Sequence, residues 1–232
     1  MLISHAHRFI YLKTVKTAGT SVEIYFERFC VDPSVPFDER HEHDAVLSPF
    51  GVVGYRGPDA EGQTWFNHMP ATRVRELVGP GVWNRYFKFC AVRNPFDKVV
   101  SWFWFQLAEE TRRTLAVAPF EEVKAAFARW LEGAHLPSDR EIFSLDGEPA
   151  VDAFVRYESL AEDLAAVCKA VGVPWDPTAL GNYKSDYRLR PEPFSDYYDG
   201  LSCERVRQTY AWEVEQFGYG PDGAVAVQIS AT

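Results

Sequence analysis

Lys13, Lys16, Thr17, Gly19, Thr20 and Ser21 crowd one short polar stretch, and their types suit a phosphate-like anion. The apolar, β-branched and aromatic run before them predicts a strand over residues 8–13, and the pattern after them predicts a helix over residues 20–30. A strand feeding a Gly-containing loop that opens a helix leaves backbone N–H groups pointing at a ligand. The helix dipole favours negative charge at that end. Lys16 adds a point charge, and Thr20 and Ser21 add hydroxyl donors. Taken alone, the loop also fits an ordinary βα turn capped by Thr or Ser.

A second constellation begins at Arg93. The run from Phe87 to Val92 reads as a buried strand that breaks at Arg93-Asn94-Pro95. Pro95 suits the first helical turn, where its missing N–H is harmless, and Asp97 suits the positive end of the helix dipole. Arg93 then ends the strand, and Ser101 falls about two turns into the helix. A forked guanidinium and a hydroxyl on one strand–helix unit can grip a terminal phosphate. The plain alternative is an Arg93–Asp97 ion pair with Ser101 on a polar helix face.

The nucleotide-triphosphate loop places Lys directly after its second Gly. Here Lys16 precedes Gly19, and no Gly opens the loop. Val15 to Ser21 instead resembles the 5′-phosphosulfate loop P-K-[ST]-[GA]-[GST]-T-S of sulfotransferases that use 3′-phosphoadenosine 5′-phosphosulfate (PAPS), with Val in place of Pro. Arg93 to Ser101 matches their 3′-phosphate motif R-[ND]-P-x-[DE]-x-x-x-S. The resemblance is nearest to carbohydrate sulfotransferases of the heparan 2-O-sulfating type and their small bacterial relatives. It extends to His68 ahead of a short helix, to Tyr157-Glu158-Ser159-Leu160, to Tyr187-Arg188, and to Phe217-Gly218-Tyr219. Residues 31–64 and 109–150 match less well, and acceptor-specific variation is expected there.

The resemblance implies an α/β, P-loop-like three-layer fold with a central, mainly parallel sheet flanked by helices. It implies that Lys16, Thr17, Ala18, Gly19, Thr20 and Ser21 hold the 5′-phosphosulfate and that Arg93 and Ser101 hold the 3′-phosphate. Tyr157, Lys184 and Arg188 join the donor site. Lys16 would meet the charge developing on the leaving phosphate, and His68 would be the general base, with Glu42 or Glu61 as substitutes. Of the six His, it alone matches the family position. No metal is required. His41-Glu42-His43-Asp44, in a polar loop, reads as solvated charge rather than a metal site, and Trp102-Phe103-Trp104-Phe105 reads as core on an amphipathic helix.

Composition bounds the remainder. The chain has 232 residues, 47% of them hydrophobic, enough for one sizeable domain over residues 1–232, with a frayed tail from 218. Its formal charge of −9 argues against nonspecific binding to nucleic acid or an anionic membrane. It also argues against a densely sulfated acceptor, unless a cluster such as Lys184, Arg188 and Arg190 overrides it. Four scattered Cys give no zinc or disulfide framework. With no signal-peptide pattern and no membrane-span pattern, a cytoplasmic enzyme is expected. Its partner would be a small-molecule or glycan acceptor. Two other readings fit part of the pattern: a P-loop-type kinase or hydrolase, and a noncatalytic nucleotide- or glycan-binding relative.

Overall fold

The computed structural model describes residues 1–34, 42–181, 183 and 187–223. Its elements are β1 (Leu2–Ser4), β2 (Phe9–Leu12), α1 (Gly19–Glu27), β3 (Val46–Ser48), β4 (Gly51–Val53), α2 (Ala71–Arg85) and β5 (Phe87–Val92). There follow α3 (Pro95–Gln106), α4 (Glu109–Val117), α5 (Phe120–Gly133), α6 (Arg140–Phe143), β6 (Ser144–Leu145), β7 (Glu148–Pro149), β8 (Ala153–Arg156), α7 (Leu160–Val171), α8 (Gly200–Thr209) and α9 (Ala211–Phe217). They form two compact units. The first comprises Met1–Val92 and Asp139–Tyr183, the second Arg93–Ser138 and Lys184–Thr232.

The first unit holds a six-stranded sheet in the order β3-β4-β1-β2-β5-β8. Strands β2, β5 and β8 run parallel, while β1 pairs antiparallel with both β2 and β4, and β3 with β4. The sheet is therefore mixed rather than mainly parallel. The difference comes from β1 and β3, strands of three residues each, too short for a period-2 pattern to register. On one face of the sheet, Phe9, Tyr11, Phe89 and Val155 form a core with Val22 and Phe26 of α1 and Leu164 and Val167 of α7. The Phe89 ring lies 5.0 Å from both Tyr11 and Phe26, within the range of favourable aromatic contact. The short helix expected after His68 is the first part of α2. It breaks at Gly79, whose left-handed φ of 74° precedes Pro80, and then resumes.

In the second unit α3, α5 and α8 share a core that includes Phe96, Phe103, Trp104, Phe127, Tyr197 and Val206. Asn94 caps α3 by accepting from Phe96 N at 3.0 Å, with Pro95 at the first helical position. The aromatic run divides as an amphipathic helix requires. Phe103 and Trp104 are fully buried, and Trp102 stacks on Phe105 at the half-exposed side. Helix α4 buries none of its residues, which explains why no apolar periodicity announced it. Helices α8 and α9 follow one another with a break at Tyr210. Of the tail expected to fray from 218, residues 224–232 lie outside the described residues; before them Tyr219 is buried, and Asn94 Nδ2 donates to Gly220 O at 2.8 Å. No helix among the described residues is long and apolar enough to cross a membrane.

Candidate functional site

In the first unit, β2 ends at Leu12 and α1 begins at Gly19. Between them Lys16 and Ala18 both adopt a φ of 60°. Non-glycine residues seldom take this left-handed conformation, and held strain of this kind clusters at ligand-clamping loops. Left-handed residues of this kind can turn backbone N–H groups into an anion-binding concavity. Ala18 occupies the N-cap position and offers no side-chain acceptor, so the first turn of α1 lacks a side-chain cap. Gly19 leaves little room for a side chain: a Cβ there would lie 3.0 Å from Lys13 Cγ and 3.1 Å from Thr14 O.

The loop is pinned from below. Thr14 Oγ1 donates to Ala91 O at 2.5 Å, and the Thr14 and Thr17 hydroxyls pair at 2.7 Å. Thr17 is 1% exposed and its hydroxyl serves the loop's own structure, while Ser21 Oγ accepts from Tyr183 N at 3.2 Å. Lys16 is half-buried. Buried Asp139 accepts from Val15 N at 3.0 Å. Sequence reading missed Asp139, a single acid 124 residues away that no local pattern distinguishes. Replacing it with Ala leaves the Val15 N–H without this acceptor, at a cost of about 1–3 kcal/mol. Asp139→Ala should therefore lower the urea midpoint and weaken binding of an anion such as inorganic phosphate at the loop, and Asp139→Asn should restore part of both.

His68 sits beside the start of this loop. Its backbone is left-handed at a φ of 61°, and its Nδ1 lies 3.0 Å from Lys13 O. A carbonyl oxygen only accepts, so Nδ1 carries the proton and Nε2 carries the lone pair. The Lys13 side chain runs back into a buried ionic network. Its Nζ lies 2.6 Å from Glu23 Oε2, Arg56 Nη1 lies 2.8 Å from the same oxygen, and the Met1 ammonium lies 2.8 Å from Glu23 Oε1. Arg56 also reaches Glu27 at 3.1 Å. Burial pushes the Glu23 carboxyl up, but Lys13, the ammonium and Arg56 outweigh it and hold the group well below the usual carboxylate range. For His68 the protein packed around the ring, then Lys13 and the Met1 ammonium, push the pKa down to about 3. By surface accessibility the residue as a whole is exposed, and Lys13 and the Met1 ammonium favour its neutral form.

Leu12, Val92 and Arg156 end the three parallel strands at one edge of the sheet. The loop after β2 and Tyr157, in the 3-10 turn Tyr157–Ser159, therefore both leave that edge, where open α/β sheets place ligands. Glu42 and Glu61 are exposed. Glu42, His43, Tyr55 and Arg56 line a cleft of about 510 Å³. His41 and Lys184 lie outside the described residues, and no group of three or more metal-ligating side chains occurs among the described ones.

In the second unit, Arg93 donates through Nε at 2.8 Å and Nη2 at 2.7 Å to Asp97 Oδ2. Arg188 Nη1 donates to the other oxygen of the same carboxylate at 3.0 Å. Asp97 and Ser101 are four residues apart on α3 and share a face. Arg93, Ser101 and Arg188 thus gather around Asp97, with two guanidiniums against one carboxylate. Arg188 Nε is buried and makes no hydrogen bond among the described residues.

A family model described as "Sulfotransferase family" matches residues 1–142, a span holding the loop, His68, Arg93, Ser101 and Asp139. An uncharacterized protein of Archaeoglobus fulgidus is 31% identical over 123 residues, covering 53% of this chain and 98% of that protein. No solved structure gives a significant match.

Proposed function

Because the chain belongs to the sulfotransferase family, we propose that it transfers a sulfuryl group from PAPS to a hydroxyl of a carbohydrate acceptor, on a P-loop-like three-layer scaffold. The observation that carries this reading is the loop from Lys13 to Ser21, with left-handed Lys16 and Ala18 and an uncapped helix start. Backbone N–H groups of residues 17–21 hold the 5′-phosphate. Arg93, Ser101 and Arg188 hold the 3′-phosphate, with Lys184 and Tyr157 contributing to the nucleotide site.

The acceptor oxygen forms a bond to sulfur as the bond from sulfur to the bridging phosphate oxygen breaks. The acceptor proton passes to His68 Nε2. The electron pair of the broken bond stays on the phosphate, where Lys16 meets its charge. No redox partner or metal enters this balance.

The nucleotide assignment is tested by calorimetry. Adenosine 3′,5′-bisphosphate should bind more tightly than 5′-AMP, and Arg93→Ala should erase most of that preference, about 1.5–3 kcal/mol for a charge-assisted contact. Equal affinity of the unmodified chain for the two nucleotides would sink the assignment and favour a kinase or hydrolase. Retained bisphosphate binding without turnover on any acceptor would favour a noncatalytic relative.

A further inference from the structure

Asp97 puts an acceptor among donors. Its Oδ2 accepts from Arg93 Nε at 2.8 Å and Nη2 at 2.7 Å, and its Oδ1 accepts from Arg188 Nη1 at 3.0 Å. Arg188 Nη2 in turn donates to Glu192 O. The side chains of Arg93, Asp97 and Arg188 are 10%, 12% and 22% exposed, so these contacts are made mostly away from bulk water. Ser101 stands one helical turn beyond Asp97 on the same face of α3.

A ligand gripped by Arg93, Arg188 and Ser101 must lie against the carboxylate that joins the two guanidiniums. An ionised carboxylate accepts about four hydrogen bonds and donates none. Asp97 accepts two at Oδ2 and one at Oδ1, so its remaining capacity lies at Oδ1, the oxygen bonded to Arg188. An anion without a proton meets this oxygen as one bare acceptor meets another, and the contact is repulsive. An anion that carries a proton turns the same contact into a hydrogen bond.

Phosphate and sulfate esters are close in size and shape but differ in that proton. A phosphate monoester loses its last proton near about pH 6, so part of it keeps a P–O–H group around neutrality. A sulfate ester is fully ionised there and has no O–H. We propose that Asp97 is a specificity-determining residue, selecting a terminal phosphate over a sulfate group by accepting the proton of the phosphate monoanion at Oδ1. This rests on the sulfuryl-transfer reading and deepens it. A protein whose donor and product both carry sulfuryl groups is surrounded by anions of the wrong kind, and this contact keeps them from the place of the 3′-phosphate. The charged and titratable groups around the carboxylate are Arg93, Arg188 and the Tyr198 phenol. The phenol is committed to Phe96 O, to which it donates at 2.7 Å.

Calorimetry with three nucleotides tests the selection: adenosine 3′,5′-bisphosphate, its analogue with a 3′-sulfate in place of the 3′-phosphate, and 5′-AMP. At pH 6 the unmodified chain should prefer the bisphosphate to the sulfate analogue by about tenfold to a hundredfold, the effect of one hydrogen bond to a charged group. The monoanion is the form bound, so that preference should fall as pH rises above the phosphate value, by up to about tenfold per pH unit. Near pH 8 the bisphosphate should take up a proton on binding beyond any change seen with 5′-AMP, read from heats in buffers of different ionisation enthalpy. In Asp97→Asn the amide can donate to either anion. The preference should shrink to a few-fold and the extra proton uptake should vanish.

A sulfate analogue that binds the unmodified chain within a few-fold of the bisphosphate at pH 6 overturns the proposal, a result that stands even if the variant does not fold. So does a folded Asp97→Asn that weakens both ligands alike, the signature of a carboxylate that only holds the arginines in place. A bisphosphate that binds no more tightly than 5′-AMP removes the 3′-phosphate site and sinks the nucleotide reading together with the proposal. A bisphosphate preferred over 5′-AMP but not over its sulfate analogue sinks the proposal alone.

Discussion

Lys16→Ala should lower kcat by about two to three orders of magnitude, the scale of removing one preorganised donor from a developing negative charge. Affinity for adenosine 3′,5′-bisphosphate should fall much less, because the backbone donors remain. The substitution is informative because the left-handed conformation at position 16 is kept: Ala meets the same steric limit there as Lys, whereas Gly would relax it. Lys16→Met separates charge from length and should match the Ala variant in kcat. Turnover within a few-fold of normal in either variant would make Lys16 a loop residue with no part in the chemistry. Single-turnover measurement of sulfuryl transfer, with product binding by calorimetry, provides both readouts.

His68→Ala should cost about two to four orders of magnitude in rate, the range for a positioned general base, with nucleotide affinity nearly unchanged. The pH profile adds a sign. A base must be deprotonated to act, and with its pKa near 3 in the free protein, kcat/KM should stay flat through neutrality and fall only in acid. The same depression bears on stability. The unfolded chain binds a proton at an ordinary histidine near about pH 6.5, while folded His68 stays neutral down to about 3. Stability is therefore complete above the unfolded value and drains away as pH falls through that interval. Glu23, whose carboxyl is also held low, adds to the loss once pH drops below the ordinary carboxylate range. A thermal melt at each pH separates loss of the base from loss of the fold. A folded His68→Ala that keeps most of its activity would move the role to Glu42 or Glu61.

The parts of the chain read correctly from sequence are those where periodicity and punctuation agree. Residues 8–13 and 87–92 are apolar runs ending in polar breaks, and both are strands that stop within a residue of the expected point. Pro95 announced the start of α3, and the structure puts it at N1, with Asn94 as the N-cap. Legibility ended where an element is short or its partners are distant. Strand β1 has three residues, and its pairing with β4 depends on a chain segment some fifty residues on. The site divides in the same way. Lys16 and Arg93 sit in contiguous motifs. Asp139, Arg56 and Glu23 act through contacts across the fold, and Lys13, though visible in the loop, shows its contacts to the Glu23 carboxylate and the His68 ring only in the folded structure.

Ala18 has a consequence for when disorder is lost. Glycine would adopt its left-handed backbone with less strain, yet glycine would also give the unfolded and unliganded chain more conformations to surrender. With Ala at 18 and Lys at 16, the ordering entropy of the loop is met once, at folding, by the Thr14, Thr17 and Asp139 bonds that pin it. It does not recur each time a ligand arrives. Affinity for an anion at this site is then a property of a loop already shaped, and changes that loosen its pins weaken binding without touching any group that meets the ligand.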